Sequence, residues 1–258
     1  GHYVWGISRS PDTCKQAVAM GVVDAACQEP DMIPYLVETD VVVVCTPIRS
    51  ILPTIAAIAP RLNSSTIFTD VGSVKSAIVE PATQLCDRFV GSHPMAGTAF
   101  SGINAAEQNL FNQRPCVVTP SQDLEAMALV RSLWESVGAI VYECSPEAHD
   151  RAVAWISHLP VMVSAGLLLA CEQEVDGEVA QLAQNLASSG FRDTSRVGGG
   201  NPELGRLMAE YNQTALLKTL HIYQDILRGL IGEIEGGNWD AVQALLEKTQ
   251  IARPLYVE

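Results

Sequence analysis

The most chemically specific stretch of the chain is Gly91-Ser92-His93-Pro94-Met95-Ala96-Gly97. It follows Phe89-Val90, an apolar pair that reads as a strand, and its Gly and Pro neighbours place His93 on an exposed loop. An imidazole with an unperturbed pKa of about 6.5 can take a proton at neutral pH, so His93 is the candidate general base. Ser73, in Thr69-Asp70-Val71-Gly72-Ser73-Val74-Lys75, falls at a strand-to-helix junction. Its hydroxyl either caps that helix or faces a cleft, and both can hold at once. In Ser189-Gly190-Phe191-Arg192-Asp193-Thr194-Ser195-Arg196, two arginines flank an aspartate in a Gly-bounded loop. Arg192 and Asp193 read as partly structural. Arg196 is the expected partner of a substrate carboxylate, because a guanidinium grips a carboxylate in two-pronged fashion.

These residues need a scaffold, and the first half of the sequence supplies one. Short apolar runs (4–7, 41–45, 66–68, 89–90, 116–119 and 139–142) alternate with helical stretches over 11–20, 49–59, 74–86 and 124–137. Alternating strand and helix predicts a doubly wound α/β domain, whose ligands lie beyond the carboxyl ends of the strands. Ser10, Pro11 and Asp12 form an N-terminal helix signal, and Gly21 closes that helix. Past Pro146 the strand signals stop, and 147–171, 176–188, 203–235 and 239–248 are helical in period. The expected boundary therefore lies at 145/146, with an all-α domain after it. The run from Ala152 to Cys171 is as apolar as a membrane span, but its acidic flanks and His158 and Pro160 favour a helix buried all round within the helical half. Leu216, Leu217, Leu220, Ile226, Leu227, Leu230 and Ile231 give that half more apolar surface than a small bundle needs, which points to a homodimer.

Within this frame the strand ends mark a dinucleotide site. Ser8, Arg9 and Thr13 follow the first strand and offer donors and positive charge without a carboxylate, which suits the 2′-phosphate of NADP better than the bare ribose of NAD. Thr46, Pro47 and Ile48 stand where the ribose–nicotinamide end would run, and Val71 and Gly72 follow the next strand. The glycine-rich turn that should precede Ser8 by about 20 residues is not in the sequence. The first βα unit of the sheet is accordingly expected to be missing.

With 16 Lys plus Arg against 29 Asp plus Glu, the net charge of −13 argues against nucleic acid and anionic membranes as partners. Seven dispersed cysteines, with no close pair, read as reduced thiols of a cytoplasmic protein, and the histidine spacing predicts no metal.

Four stretches in order resemble the TyrA family of prephenate and arogenate dehydrogenases: Asp70–Lys75, Gly91–Gly97, Ile156-Ser157-His158-Leu159-Pro160 and Phe191–Arg196. The resemblance covers essentially the whole chain. It implies a Rossmann-like domain joined to a helical dimerisation domain. His93 would accept the proton of the substrate's ring hydroxyl as hydride leaves for the nicotinamide, and loss of the ring carboxylate as CO2 would then make the ring aromatic. Ser73 would orient His93 or the hydroxyl, Arg196 would hold a substrate carboxylate, and His158 and Thr98 would line the pocket. Val161 and Ala99 depart from many prephenate-using relatives, and with Gly200–Gly205 they look like the cyanobacterial arogenate type. Arogenate is therefore the expected substrate, prephenate the alternative. A β-hydroxyacid-type dehydrogenase would be expected to carry Lys or Asp within the 152–171 helix, which has neither. A non-catalytic fragment, the remaining alternative, would fail to bind the dinucleotide.

Overall fold

The computed structural model describes residues 2–34, 36–97 and 102–257. Residues 1–212 form one compact unit and 213–258 a second.

The first unit opens with β1 (Trp5–Ile7), α1 (Pro11–Ala19) and β2 (Ala25–Cys27), with β1 and β2 parallel. The predicted cap is present: Ser10 Oγ accepts a hydrogen bond from Thr13 N at 3.2 Å, and Pro11 starts the helix. Next come β3 (Val41–Val44), α2 (Ile48–Ile58), β4 (Ile67–Asp70), α3 (Val79–Leu85) and β5 (Phe89–Val90), with β3, β4 and β5 parallel in that order. The third sheet has β6 (Ser92–Pro94) antiparallel to β7 (Pro115–Val118), and β8 (Ile140–Glu143) parallel to β7, with α4 (Leu124–Ser136) between the last two strands.

Side-chain alternation along the strands explains how helices come to cover both faces. Val44, Phe68 and Phe89 join Ile51 and Ile55 of α2 and Ile78 and Ala82 around α3 in one core. Their neighbours Ile67 and Val90 point the other way, joining Cys116 and Val118 with Ala126, Val130 and Trp134 of α4 in a second core. This is a sheet wound on two sides, as expected.

Three local expectations are corrected. Helix α3 begins at Val79 rather than near Val74, so Ser73 does not cap it. Residues 189–195 are not a loop but a short helix. His93 lies on strand β6 opposite Val117, and only 9% of it is exposed. Pairing with a strand more than twenty residues away turned a Gly/Pro-flanked segment into sheet.

After β8 the described elements are helical: α5 (Pro146–Val153), a π-helical turn (Ala154–His158), α6 (Leu159–Cys171), α7 (Gly177–Leu186), α8 (Ser189–Ser195) and α9 (Pro202–Tyr211). The wide turn sits just ahead of Pro160, whose missing N–H and ring bulk are poorly tolerated by regular α-helical bonding. The continuous run Pro146–Cys171 is long and apolar enough to span a membrane, and 28% of its most apolar window is buried. The expectation that it is buried all round is therefore corrected. One stripe (Val153, Ala154, His158, Leu159, Ser164) is buried, while Trp155, Ile156 and Leu169 are exposed.

The second unit consists of α10 (Gln213–Glu235), a Gly236-Gly237 turn, α11 (Trp239–Ala252) and a terminal turn at Arg253–Leu255. Ile222, Ile226, Leu227, Ile231 and Ile234 of α10 are exposed.

Candidate active site

The site is built on a buried ion pair at the carboxyl end of β4. Asp70 and Lys75, both wholly inaccessible, form a close salt bridge. Lys75 Nζ also donates to Ser92 O at 2.8 Å, and Asp70 accepts from Gly72 N at 2.8 Å and Ser92 N at 3.1 Å. Burial lowers the Lys75 pKa, an effect opposed by the Asp70 charge. Ser92 uses its full hydroxyl capacity: it donates to Asp70 O at 2.5 Å, accepts from Trp134 Nε1 at 3.0 Å and shares a hydrogen bond with Thr69 Oγ1. Gly72 is required by close approach, since a Cβ there would lie 2.8 Å from Asp70 Oδ2 and 2.9 Å from Ile51 and Ile78. These contacts fix the backbone of β6 and with it His93.

The His93 ring is fixed by helix α5. Its Nδ1 lies 2.8 Å from His149 Nε2, and His149 Nδ1 lies 2.8 Å from Asp150 Oδ1. Asp150 also accepts from the backbone N–H groups of Lys75 (2.7 Å) and Ser76 (2.9 Å), tying α5 to the turn after β4. Burial pushes the Asp150 carboxyl up, but the hydrogen bonds from His149, Lys75 and Ser76 outweigh it and hold it below the usual carboxylate range. Asn212, at the end of α9, donates to Asp150 O at 2.8 Å and lies 3.2 Å from His158 Nδ1. His93 is pushed well below the ordinary imidazole value, first by burial, then by the proximity of His149, Lys75 and His158. His158, buried in the π-helical turn, is lowered to about 4, chiefly by burial. Both rings are neutral at pH 7; with His158 Nδ1 facing the donor-only amide nitrogen of Asn212, its unpaired Nε2 carries the proton and can donate.

Sequence reasoning had found His93, Ser73 and His158 but not His149, Asp150 or Asn212. The available signal was an adjacent His-Asp pair just ahead of the apolar run 152–171. The partner of the His93 ring is His149 rather than Ser73. Ser73 Oγ, His158 Nε2 and Thr46 Oγ1 are instead buried without a hydrogen-bond partner. A buried polar atom left unpaired is costly, so two just past the ends of β3 and β4, with a third on the π-helical turn, indicate a site for a polar ligand.

The other expected cofactor residues are spread over three strand ends. Thr46 and the exposed Pro47 follow β3, the Ile48 side chain is in the core, and Val71 is half-buried after β4. Ser8 and Thr13 are half-buried near β1 and Arg9 is exposed. Ser8 Oγ already accepts from Ser10 N at 3.3 Å. Arg196, the C-cap of α8, shares a polar cavity of about 410 Å³ with Met95, Gly97, Glu107, Asn109, Asn112 and Arg114. The structure thus brings Arg196 beside the His93 segment and adds a second guanidinium, Arg114. Arg192 and Asp193 form only a loose surface pair at 3.7 Å. Thr98 and Ala99 lie outside the described residues.

A two-sided α/β sheet with unpaired polar atoms at its strand ends, a buried histidine and a following helical region defines a dinucleotide-binding enzyme fold. Comparison with known proteins gives the family. Residues 1–143 match the prephenate dehydrogenase nucleotide-binding domain and residues 145–248 the prephenate dehydrogenase dimerization domain. The chain belongs to the prephenate dehydrogenase (TyrA) family. It is 31% identical to the prephenate dehydrogenase of Bacillus subtilis over 84% of this chain and 59% of that protein. It is 30% identical to the cyclohexadienyl dehydrogenase of Zymomonas mobilis over 84% and 75%. The chain thus spans less than two thirds of the Bacillus relative. Among solved structures, a Synechocystis arogenate dehydrogenase shares 52% identity, with a TM-score of 0.85, over 100% of this chain and 92% of that one. The prephenate dehydrogenase of A. aeolicus, solved with hydroxyphenyl propionate and NAD+, shares 26% with a TM-score of 0.91, over 98% and 88%.

The last comparison corrects the expectation of NADP: the relative was captured with NAD+. The physical basis of that expectation was also thin. Ser8 and Ser10 are engaged by backbone N–H groups at the start of α1, and an exposed arginine beside a helix start is ordinarily solvated surface.

Proposed function

We propose that the protein oxidatively decarboxylates arogenate to tyrosine with NAD+ as hydride acceptor, using His93 as general base. The observation that carries this reading is a buried His93 near His158, with Ser73 Oγ just past β4 and His158 Nε2 on the π-helical turn both lacking partners. The 52% identity to an arogenate dehydrogenase favours that substrate.

Thr46, Val71 and Ser73 would hold the nicotinamide end, and a bound dinucleotide would supply the hydride acceptor. His93 takes the hydroxyl proton as the ring carbon bearing it is oxidised. Arg196 holds a carboxylate of the substrate, while Ser73 donates to or accepts from the hydroxyl and His158 donates to it. The ring carboxylate departs as CO2, and the electron pair of the broken C–C bond completes the aromatic ring. Burial of His93 and His158 excludes water from the proton transfer. Residues 1–145 serve as the dinucleotide domain and 146–258 as the substrate and dimerisation domain, in a cytoplasmic homodimer.

The test is reduction of NAD+ by the full chain with arogenate and prephenate side by side. Turnover of arogenate, falling at least about 10³-fold in His93→Asn, is the expected result for loss of the base. Faster turnover of prephenate would transfer the assignment to that substrate, as the curated prephenate dehydrogenases would have it. No turnover of either with NAD+ bound would overturn the reading.

A further inference from the structure

We propose that His149 and Asp150 form a positioning dyad that sets the tautomer of His93, so that its Nε2 lone pair faces the substrate. The inference rests on the reading of His93 as the base and goes beyond it to the groups behind the ring.

The argument is one of hydrogen-bond capacity. An ionised carboxylate can only accept. Asp150 Oδ1, 2.8 Å from His149 Nδ1, therefore requires a proton on that nitrogen. Neutral His149 then has a bare Nε2, which can only accept. Its neighbour at 2.8 Å is His93 Nδ1, which must in turn carry its proton. Neutral His93 is left with one lone pair, on Nε2. Reversing either bond would set two lone pairs or two N–H groups against each other, or put a positive charge on His149, whose side chain is 1% exposed.

The same chain acts when the proton arrives. Protonation at His93 Nε2 makes an imidazolium whose Nδ1–H points at His149 Nε2, and His149 is polarised by the Asp150 carboxylate behind it. The charge on His93 is thereby stabilised at two removes, without a carboxylate adjacent to the base that would raise its resting pKa. Among the described residues the other charged or titratable groups facing His93 are Lys75, paired with Asp70, His158, and the Cys116 thiol, which meets the His93 backbone and is pushed up to about 12 by burial. Asp150 is itself held rigidly. Its two oxygens accept the Lys75 and Ser76 backbone N–H groups, and its backbone carbonyl accepts from Asn212. The dyad therefore shares its anchor with the turn that carries Ser73.

The experiment has a readout independent of turnover. Imidazole nitrogen NMR of the resting full chain is expected to show His93 protonated at Nδ1 and bare at Nε2, with His149 protonated at Nδ1. In Asp150→Asn the amide can donate to His149, so the His93 pattern is expected to invert or mix. Steady-state assays of His149→Leu are expected to show kcat/KM reduced about 10²- to 10⁴-fold, mostly in kcat, with the acidic limb of the pH profile displaced. His149→Gln, whose amide oxygen can accept from His93 Nδ1–H, is expected to recover about 10-fold of that loss. A resting His93 protonated at Nε2, or a His149→Leu enzyme with the parent's kcat/KM and pH profile, would overturn the proposal. If the parent enzyme turns over neither substrate, the functional reading fails, while the nitrogen assignment still decides whether the tautomer is set this way.

Discussion

His93 and His158 are both held neutral by burial, and that has a cost in acid. A histidine whose folded pKa lies below its unfolded value binds fewer protons folded than unfolded as the pH falls past about 6.5, so stability is lost over that interval. For His158 the window runs from about 6.5 down to about 4, and the loss amounts to roughly 3 kcal/mol once the pH is below it. His93 adds to the loss with the same sign. Urea unfolding as a function of pH is expected to show this decline, and His158→Gln should flatten it while leaving stability at pH 8 less affected than stability at pH 5. A pH-independent unfolding free energy across this window would contradict the assignment of neutral buried rings. The Asp70–Lys75 pair belongs to the same scale. It is fully buried and hydrogen-bonded on both sides, so removing either partner strands a charge.

At the scale of elements, close approach of α6 to the segment after α8 positions the π-helical turn carrying His158. Ser164 Oγ accepts from Gly198 N at 2.8 Å, and a Cβ at Gly198 would lie 2.5 Å from Ala165 N and Ser164 C. Both obstacles are helix backbone, which cannot rotate away. Gly198→Ala is therefore expected to destabilise the protein by about 1–3 kcal/mol and to raise KM through displacement of the neighbouring Arg196. Calorimetry and steady-state kinetics check the two effects separately. A thermally unchanged variant would mean that α6 and residue 198 have room to separate. Elements were legible where local rules governed them. The Ser10-Pro11 cap, the Val41–Val44 strand and the helix starting at Leu124 all follow from neighbours in sequence. Strand β6 and the π-helical turn did not, because the first exists through pairing with β7 and the second through accommodation of Pro160 within a continuous helix.

At the scale of the whole molecule, the exposed apolar side chains of α10, with the match of residues 145–248 to a dimerization domain, support assembly through the helical region. Ile226 and Ile231 are 56% and 53% exposed in the single chain. Covering such side chains contributes about 25 cal/mol per Å² of apolar surface removed from water. Ile226→Glu with Ile231→Glu is expected to shift the protein from dimer to monomer in analytical ultracentrifugation without unfolding the α/β region. A parent protein that sediments as a monomer at micromolar concentration would remove the basis for the proposed dimer.

The family resemblance singled out His158, while the local pattern of the sequence by itself determined most of the strands and helices, the place where strands cease, and His93, Ser73 and Arg196 as residues to watch. Each of the latter is encoded by nearest neighbours: β-branched runs, helix caps, Gly and Pro punctuation, and polar residues just past a strand. Only the tertiary structure decided what surrounds them. His149 and Asp150 lie more than fifty residues from His93, in a helix whose first turn gives no periodic sign of facing a strand end. Their role depends on distances of a few ångströms between elements, which packing sets and spacing along the chain does not encode. The protonation of His93 is likewise a property of its burial and partners, which no local pattern in the sequence could specify.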